Sequence, residues 1–241
     1  MVESQVLKKQ LVLEGVDSSK IFVAYNAVNP EEFIRNEQDR KEIRQELGLN
    51  DKDILVGYVG SFAYYHDSIR MMLAANILKK RGDNSIKWLL IGDGKDKLKC
   101  ESFAKENGLL SRTVFMMPFQ AKEKVPRFLS AMDVTILPGS TDIICPIKVM
   151  EYMAAGSVVL VPDYECNREI IDGTNGLLFE PGNENSIVET LLCLSSDISL
   201  CQKLGTNART TILDRFTWDK TYGNALTHIL SNIKETQCYS Q

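Results

Sequence analysis

The residues best suited to chemistry in this sequence sit in a stretch from Ser140 to Gly156. Pro146 suits the first position of a helix, which sets Lys148 in the first turn and Glu151 one turn later. At about 100° per residue, Ile147, Met150, Met153 and Ala154 form one apolar face, while Lys148, Glu151 and Ala155 share another. A surface ion pair explains this arrangement poorly. Lysine ahead of glutamate is the weaker order, and the helix dipole opposes a cation in the first turn unless an anion offsets it. A phosphate at that N-terminus would do so, leaving the Glu151 carboxylate to accept hydrogen bonds from the hydroxyls of a sugar.

Two further loops carry glycines at points where a ligand could approach the backbone. Gly60-Ser61-Phe62-Ala63-Tyr64-Tyr65-His66-Asp67 leads from a strand-like run into a helical one, whose start offers free N–H groups to an anion. The plainer alternative for that loop is an ordinary turn capped by Asp67. Gly92-Asp93-Gly94-Lys95 could cradle a phosphate or pack under a base. It is not GxGxxG, because Lys97 stands where the third glycine belongs. The dinucleotide fingerprint therefore fails, and an NAD-linked oxidoreductase is set aside.

These loops need a scaffold that brings them to one edge. Short apolar runs at Ile54 to Val59, Lys87 to Ile91, Thr113 to Met117, Val134 to Leu137, Val158 to Val161 and Gly176 to Phe179 read as strands buried on both faces. Helix-period segments at Ser68 to Lys80, Lys95 to Asn107, Val125 to Ala131 and Pro146 to Ala155 alternate with them. The class is therefore α/β, built from βαβ units around a parallel sheet, with ligands expected beyond the carboxyl ends of the strands. After Pro181 three helical runs follow without a strand, at Glu184 to Cys193, Ile198 to Leu213 and Trp218 to Ile233, and the chain finishes as a helical appendix. Within Val6 to Phe33, the run Lys20 to Ala24 is expected to add an edge strand, and Asn36 to Asp53 to form a solvated helix.

Composition narrows the classes of function. The chain has 241 residues, 44% hydrophobic and 25% charged, as an ordinary globular protein does. A net charge of -4 gives no overall attraction to nucleic acid. No stretch approaches the ~20 apolar residues of a transmembrane segment, and Met1 to Gln10 lacks the apolar block of a signal peptide, so a cytoplasmic location is expected. The six cysteines form no CxxC pair and are expected to be reduced. Only two histidines are present, without metal-ligand spacing, so no metal site is expected.

Pro146-Ile147-Lys148-Val149-Met150-Glu151-Tyr152-Met153-Ala154-Ala155-Gly156 resembles the donor-binding helix of retaining glycosyltransferases of the GT-B fold, the large family-four group. Tyr58-Val59-Gly60-Ser61-Phe62, Leu89-Leu90-Ile91-Gly92-Asp93-Gly94, Ala131-Met132-Asp133-Val134 with Leu137-Pro138, Glu169 to Leu178 and Arg215-Phe216-Thr217-Trp218 are similar to that family's other motifs, in order. Lys20 to Val28, followed by Glu32-Phe33, looks like the opening of its second domain.

The resemblance implies a Rossmann-like half of a GT-B fold that holds a nucleotide-diphosphate sugar. That sugar is a donor substrate, and no cofactor or metal is implied. Donor binding falls to Gly60, Ser61, Gly92, Gly94, Lys148 and Glu151, with Glu151 on the ribose; Lys148 and His66 take the catalytic role of stabilising the leaving diphosphate. Ser61, and approximately His66, stand where the family carries Arg and Lys, and Ile143 stands where its first glutamate would be. The implied division is a leading segment (1–19), a nucleotide-sugar-binding domain (20–216) and a C-terminal helix and tail (217–241), with an N-terminal acceptor-binding domain or subunit as partner. The implied activity is a hexosyltransferase-like transfer with retention, in the cytoplasm or peripheral to a membrane. The alternative is a non-catalytic nucleotide-sugar-binding module or a subunit of a split glycosyltransferase.

Overall fold

Six runs of mostly apolar residues become six parallel strands: β1 (Ile54–Val59), β2 (Ile86–Ile91), β3 (Val114–Met117), β4 (Val134–Ile136), β5 (Val158–Pro162) and β6 (Leu177–Phe179). A computed structural model describes the backbone of residues 1–238 and the side chains of residues 1–231. The strand order is β3-β2-β1-β4-β5-β6, so the order reverses between β1 and β4, where a doubly wound sheet opens a ligand crevice. Every strand was anticipated to within two residues at either end.

Helices α1 (Gln5–Leu13), α2 (Glu37–Glu46), α3 (Ile69–Lys80), α4 (Lys97–Glu106), α5 (Val125–Ala131), α6 (Ile147–Ala154), α7 (Glu165–Arg168), α8 (Glu184–Ser196), α9 (Ile198–Arg215) and α10 (Asn224–Cys238) surround the sheet. Helices α8 and α9 follow the last strand but belong to the core. Ile187, Val188, Leu191 and Leu194 of α8, and Leu204, Ala208 and Ile212 of α9, are buried in the main cluster. Helix α8 lies against α3 and β6, and α9 against α6 and β5. The run Trp218 to Ile233 is interrupted at its start by a π-helical turn, Asp219–Gly223.

Two further expectations fail. The Lys20 to Ala24 run adds no strand to the sheet; Val23 makes only an isolated bridge to Val2. Its pairing groups are taken by the N-terminus, where the Val2 N–H donates to the Phe22 carbonyl at 3.0 Å and the Ala24 N–H to the Val2 carbonyl at 2.8 Å. The Asn36 to Asp53 segment is only partly solvated. In α2, Ile43 and Arg44 are buried, and Arg44 and Arg40 donate to Asp133 at 3.0 and 2.7 Å.

Helix α1 was not anticipated. Ser4 caps it, its Oγ accepting from the Leu7 N–H at 2.9 Å, and the Glu169 carboxylate accepts from the N–H groups of Gln5 and Val6 at 2.9 and 3.0 Å. A carboxylate from elsewhere in the chain thus supplies what the local sequence does not. Cys100, Cys145, Cys166, Cys193 and Cys201 are free thiols; the side chain of Cys238 lies outside the described residues. Among the described residues no helix is long and apolar enough to cross a membrane.

Candidate functional site

At the switch point between β1 and β4 lies a cleft of about 820 Å³, walled by the loop after β1, the loop after β2, the loop after β3 and the start of α6. The three loops singled out in the sequence converge here because parallel strands release all their βα connections at one sheet edge.

The floor is backbone packed against backbone. Gly60 N–H donates to the Ile91 carbonyl at 3.0 Å and Phe62 N–H to the Asp93 carbonyl at 2.8 Å, which zips the β1 and β2 loops together. A Cβ on Gly92, at φ +144°, would lie 1.8 Å from the Gly60 carbonyl oxygen; on Gly94, at φ +145°, it would meet Phe62 backbone at 2.8 Å. These glycines permit the two loops to touch. Lys97, in the position that spoils the dinucleotide fingerprint, donates to the carbonyls of Gly92 and Met117 at 2.8 and 3.1 Å and so ties down the loop ends.

Helix α6 is aimed by Tyr152. Its buried hydroxyl donates to the Val59 carbonyl and accepts from the Val59 N–H, both at 2.8 Å, which joins the helix to the end of β1. Pro146 is the N-cap, one position before its expected place. Lys148 is in the first turn and Glu151 a turn on, both facing the cleft. The apolar face is shifted from the expectation. Ile147 is 44% exposed and lines the cleft, whereas Ala155, grouped with the polar face, is buried at 3%. Met150, Met153 and Ala154 of the expected apolar face are buried, and Val149 and Tyr152 are buried with them, because the helix also presents its Val149 and Tyr152 side to the sheet.

Lys148 Nζ lies 3.1 Å from His66 Nε2 and 5.2 Å from the centre of the Tyr58 ring. Burial drives its pKa down to about 8, with Glu151 opposing. His66, 5% exposed, has Nδ1 3.2 Å from the Gly139 carbonyl oxygen. Its pKa is lowered, first by burial and then by the charge of Lys148. The Tyr58 hydroxyl donates to the Ser61 carbonyl at 2.5 Å. A Cβ on Gly60 would come 2.5 Å from Lys148 Nζ, so the lysine head rests on the bare glycine.

Glu151 is half-buried and accepts no hydrogen bond from another described residue. Burial raises its pKa, with Lys122 and Lys148 opposing. Lys122 also pairs with Glu32 at 3.2 Å.

Of the residues chosen from sequence, Gly60, Ser61, His66, Gly92, Lys148 and Glu151 line one cleft. Gly94 lies outside its lining, packed on Phe62 instead. Asp67, offered as a cap for α3, has a left-handed backbone (φ +46°) and directs its carboxylate to Arg70 Nε at 2.8 Å; the residue at the cap is Ser68. Ile143, in the position of the missing glutamate, offers its carbonyl to Ser4 Oγ at 2.6 Å. Sequence reasoning missed Tyr58 and Gly139, which flank the His66–Lys148 pair, and Phe119, 71% exposed in the wall of the cleft. Tyr58 sits inside an apolar strand run, and nothing local marks it or Gly139 as part of a site.

A family model described as "Glycosyl transferases group 1" matches residues 39–211. The chain is 24% identical over 220 residues to an uncharacterized glycosyltransferase of Methanocaldococcus jannaschii, covering 90% of this chain and 55% of the relative. It is 27% identical over 202 residues to the alpha-D-kanosaminyltransferase of Streptomyces kanamyceticus, covering 83% and 50%. The chain thus spans about half the length of these curated relatives. Among solved structures, Anabaena HepE in complex with UDP and glucose superposes with a TM-score of 0.79 at 19% identity, over 99% of this chain and 62% of that one. The C-terminal domain of a group 1 family protein from Francisella tularensis superposes at 0.64 with 22% identity, over 79% of this chain and 98% of that one.

Proposed function

Because the chain belongs to the glycosyl transferases group 1 family, we propose that its cleft grips the nucleotide diphosphate of an activated sugar, as the donor half of a retaining, hexosyltransferase-like enzyme. One observation carries this role. An ammonium that makes no ion pair among the described residues and a half-buried carboxylate without a donor lie a helical turn apart, in a cleft bounded by backbone and the start of α6. The diphosphate is assigned to Lys148, the first-turn N–H groups of α6 and the loop at Gly60 and Ser61; the ribose hydroxyls are assigned to Glu151. As the bond from the anomeric carbon to the diphosphate oxygen breaks, its electron pair passes to that oxygen. Lys148 and the helix start meet the growing charge without reorganising. No metal is required in this scheme, and EDTA should leave nucleotide affinity unchanged.

UDP bound to the similar HepE structure makes UDP the first ligand to try. Calorimetric titration with UDP, GDP, ADP and their sugars should detect one of them on the wild type, and Glu151→Ala should weaken it about tenfold, as loss of a hydrogen bond to a charged group does. Absence of binding by all of them defeats the proposal. Ser61 and Ile143, where the resemblance expects charged residues, favour a second reading, a nucleotide-sugar-binding module without catalysis. Binding without turnover when an acceptor-binding domain of a relative is supplied would support it, and the anomeric configuration of any product tests retention.

A further inference from the structure

We propose that His66 is a positioning residue: a neutral imidazole whose Nε2 lone pair holds the Lys148 ammonium at the diphosphate without cancelling its charge. It rests on Lys148 being the diphosphate-binding cation. Two contacts fix the state of the ring. The Gly139 carbonyl can only accept, so His66 Nδ1, 3.2 Å away, carries the proton. A neutral imidazole has one ring proton, which leaves Nε2 as an acceptor, and it faces Lys148 Nζ, which can only donate, at 3.1 Å. Both neighbours thus demand the same tautomer.

The surroundings agree. From β1, Tyr58 faces the ring at 6.3 Å between centres, with its hydroxyl committed to Ser61. From the same turn, Tyr65 lies at 4.4 Å, and the Asp67 carboxylate is taken by Arg70. From α6 comes Lys148, and from the loop after β4 the Gly139 carbonyl. Burial and the neighbouring ammonium both disfavour the imidazolium. A carboxylate in this place would hold the lysine but neutralise the charge it offers to the substrate. Protonation of His66 would remove the acceptor, set two cations side by side and release Lys148, so nucleotide affinity should fall as pH drops through the His66 pKa.

Substitution separates this role from bulk packing. Glutamine can place an acceptor near the Nε2 position, whereas asparagine reaches only as far as Nδ1. UDP binding, titrated from pH 5 to 8 (~3 units around the ordinary histidine pKa), should weaken about tenfold in His66→Asn at neutral pH. His66→Gln should stay within about threefold of wild type there and lose the wild type's additional decline in acid, the ligand's own titration being common to both. Equal affinity in His66→Asn and wild type, or superimposable pH profiles for His66→Gln and wild type, overturns the proposal. A second readout needs no nucleotide. Imidazole nitrogen NMR of the free protein at neutral pH should show His66 as the Nδ1–H tautomer with a hydrogen-bonded Nε2, and Lys148→Met should raise its pKa; an Nε2–H tautomer or a cation overturns the proposal. Failure of wild type to bind UDP, with the expected NMR spectrum, rejects the nucleotide role of Lys148 and leaves the hydrogen bond intact.

Discussion

Lys148 holds its ammonium in a setting that disfavours charge, which is useful only if an anion arrives to repay it. The folded pKa of about 8 lies below the ordinary 10.5. Between those values the unfolded chain holds a proton that the folded chain lacks, so stability rises with pH across that window and the depressed lysine costs stability below it. Lys148→Met should therefore stabilise the free protein at neutral pH, seen as a higher Tm, while weakening UDP by about tenfold or more. A lower Tm together with unchanged UDP affinity would show that the ammonium serves the fold. In the wild type, UDP affinity should decline above pH 8 as the ammonium is lost, and binding there should take up protons, measurable by calorimetry in buffers of different ionisation enthalpy.

At the level of elements, the site is a contact between two loops and a helix start, and its glycines have unequal duties. The nearest neighbour of a Cβ on Gly60 is the end of the flexible Lys148 side chain at 2.5 Å, followed by the Tyr58 hydroxyl at 3.1 Å. Gly60→Ala should therefore fold, with the lysine head displaced and UDP weakened about tenfold. On Gly92 the neighbour is a carbonyl oxygen at 1.8 Å, and the backbone sits at φ +144°. Gly92→Ala must open the β1–β2 loop contact and should cost about 3 kcal/mol, read by denaturant titration. Similar stability for these two variants would mean that the loops are not held in this contact.

Across the whole molecule, stability and binding chemistry sit at opposite ends of the sheet. Asp133, just before β4, accepts from Arg40 at 2.7 Å, Arg44 at 3.0 Å and the Leu55 N–H at 2.8 Å, and so joins α2 to the beginning of β1. The cleft lies beyond the other end of that strand, about 20 Å away for six extended residues. Asp133→Asn leaves the largely buried arginines short of a counter-charge and should cost about 3 kcal/mol. Under conditions where the variant is folded, its UDP affinity should match the wild type. A parallel loss of affinity would mean that the two ends are coupled through β1 and β4.

The strands were legible because parallel strands covered on both faces read as short unbroken apolar runs, and the convergence of Gly60, Gly92 and Lys148 followed once those runs were taken as parallel. The spacing of Lys148 and Glu151 put them on one helix face from local geometry alone. The inward side of α6 was legible in Met150, Met153 and Ala154, but its edges were not: period groups residues without saying what packs over the ends of the helix, so Ile147 is exposed and Ala155 buried. Pairing partners distant in the chain were equally hidden. Glu169 capping α1 and the N-terminus occupying Lys20 to Ala24 depend on segments meeting in space. The setting of His66 belongs to the same class, since a buried ring wedged between Gly139 and Lys148 is created by the packing of three separate segments.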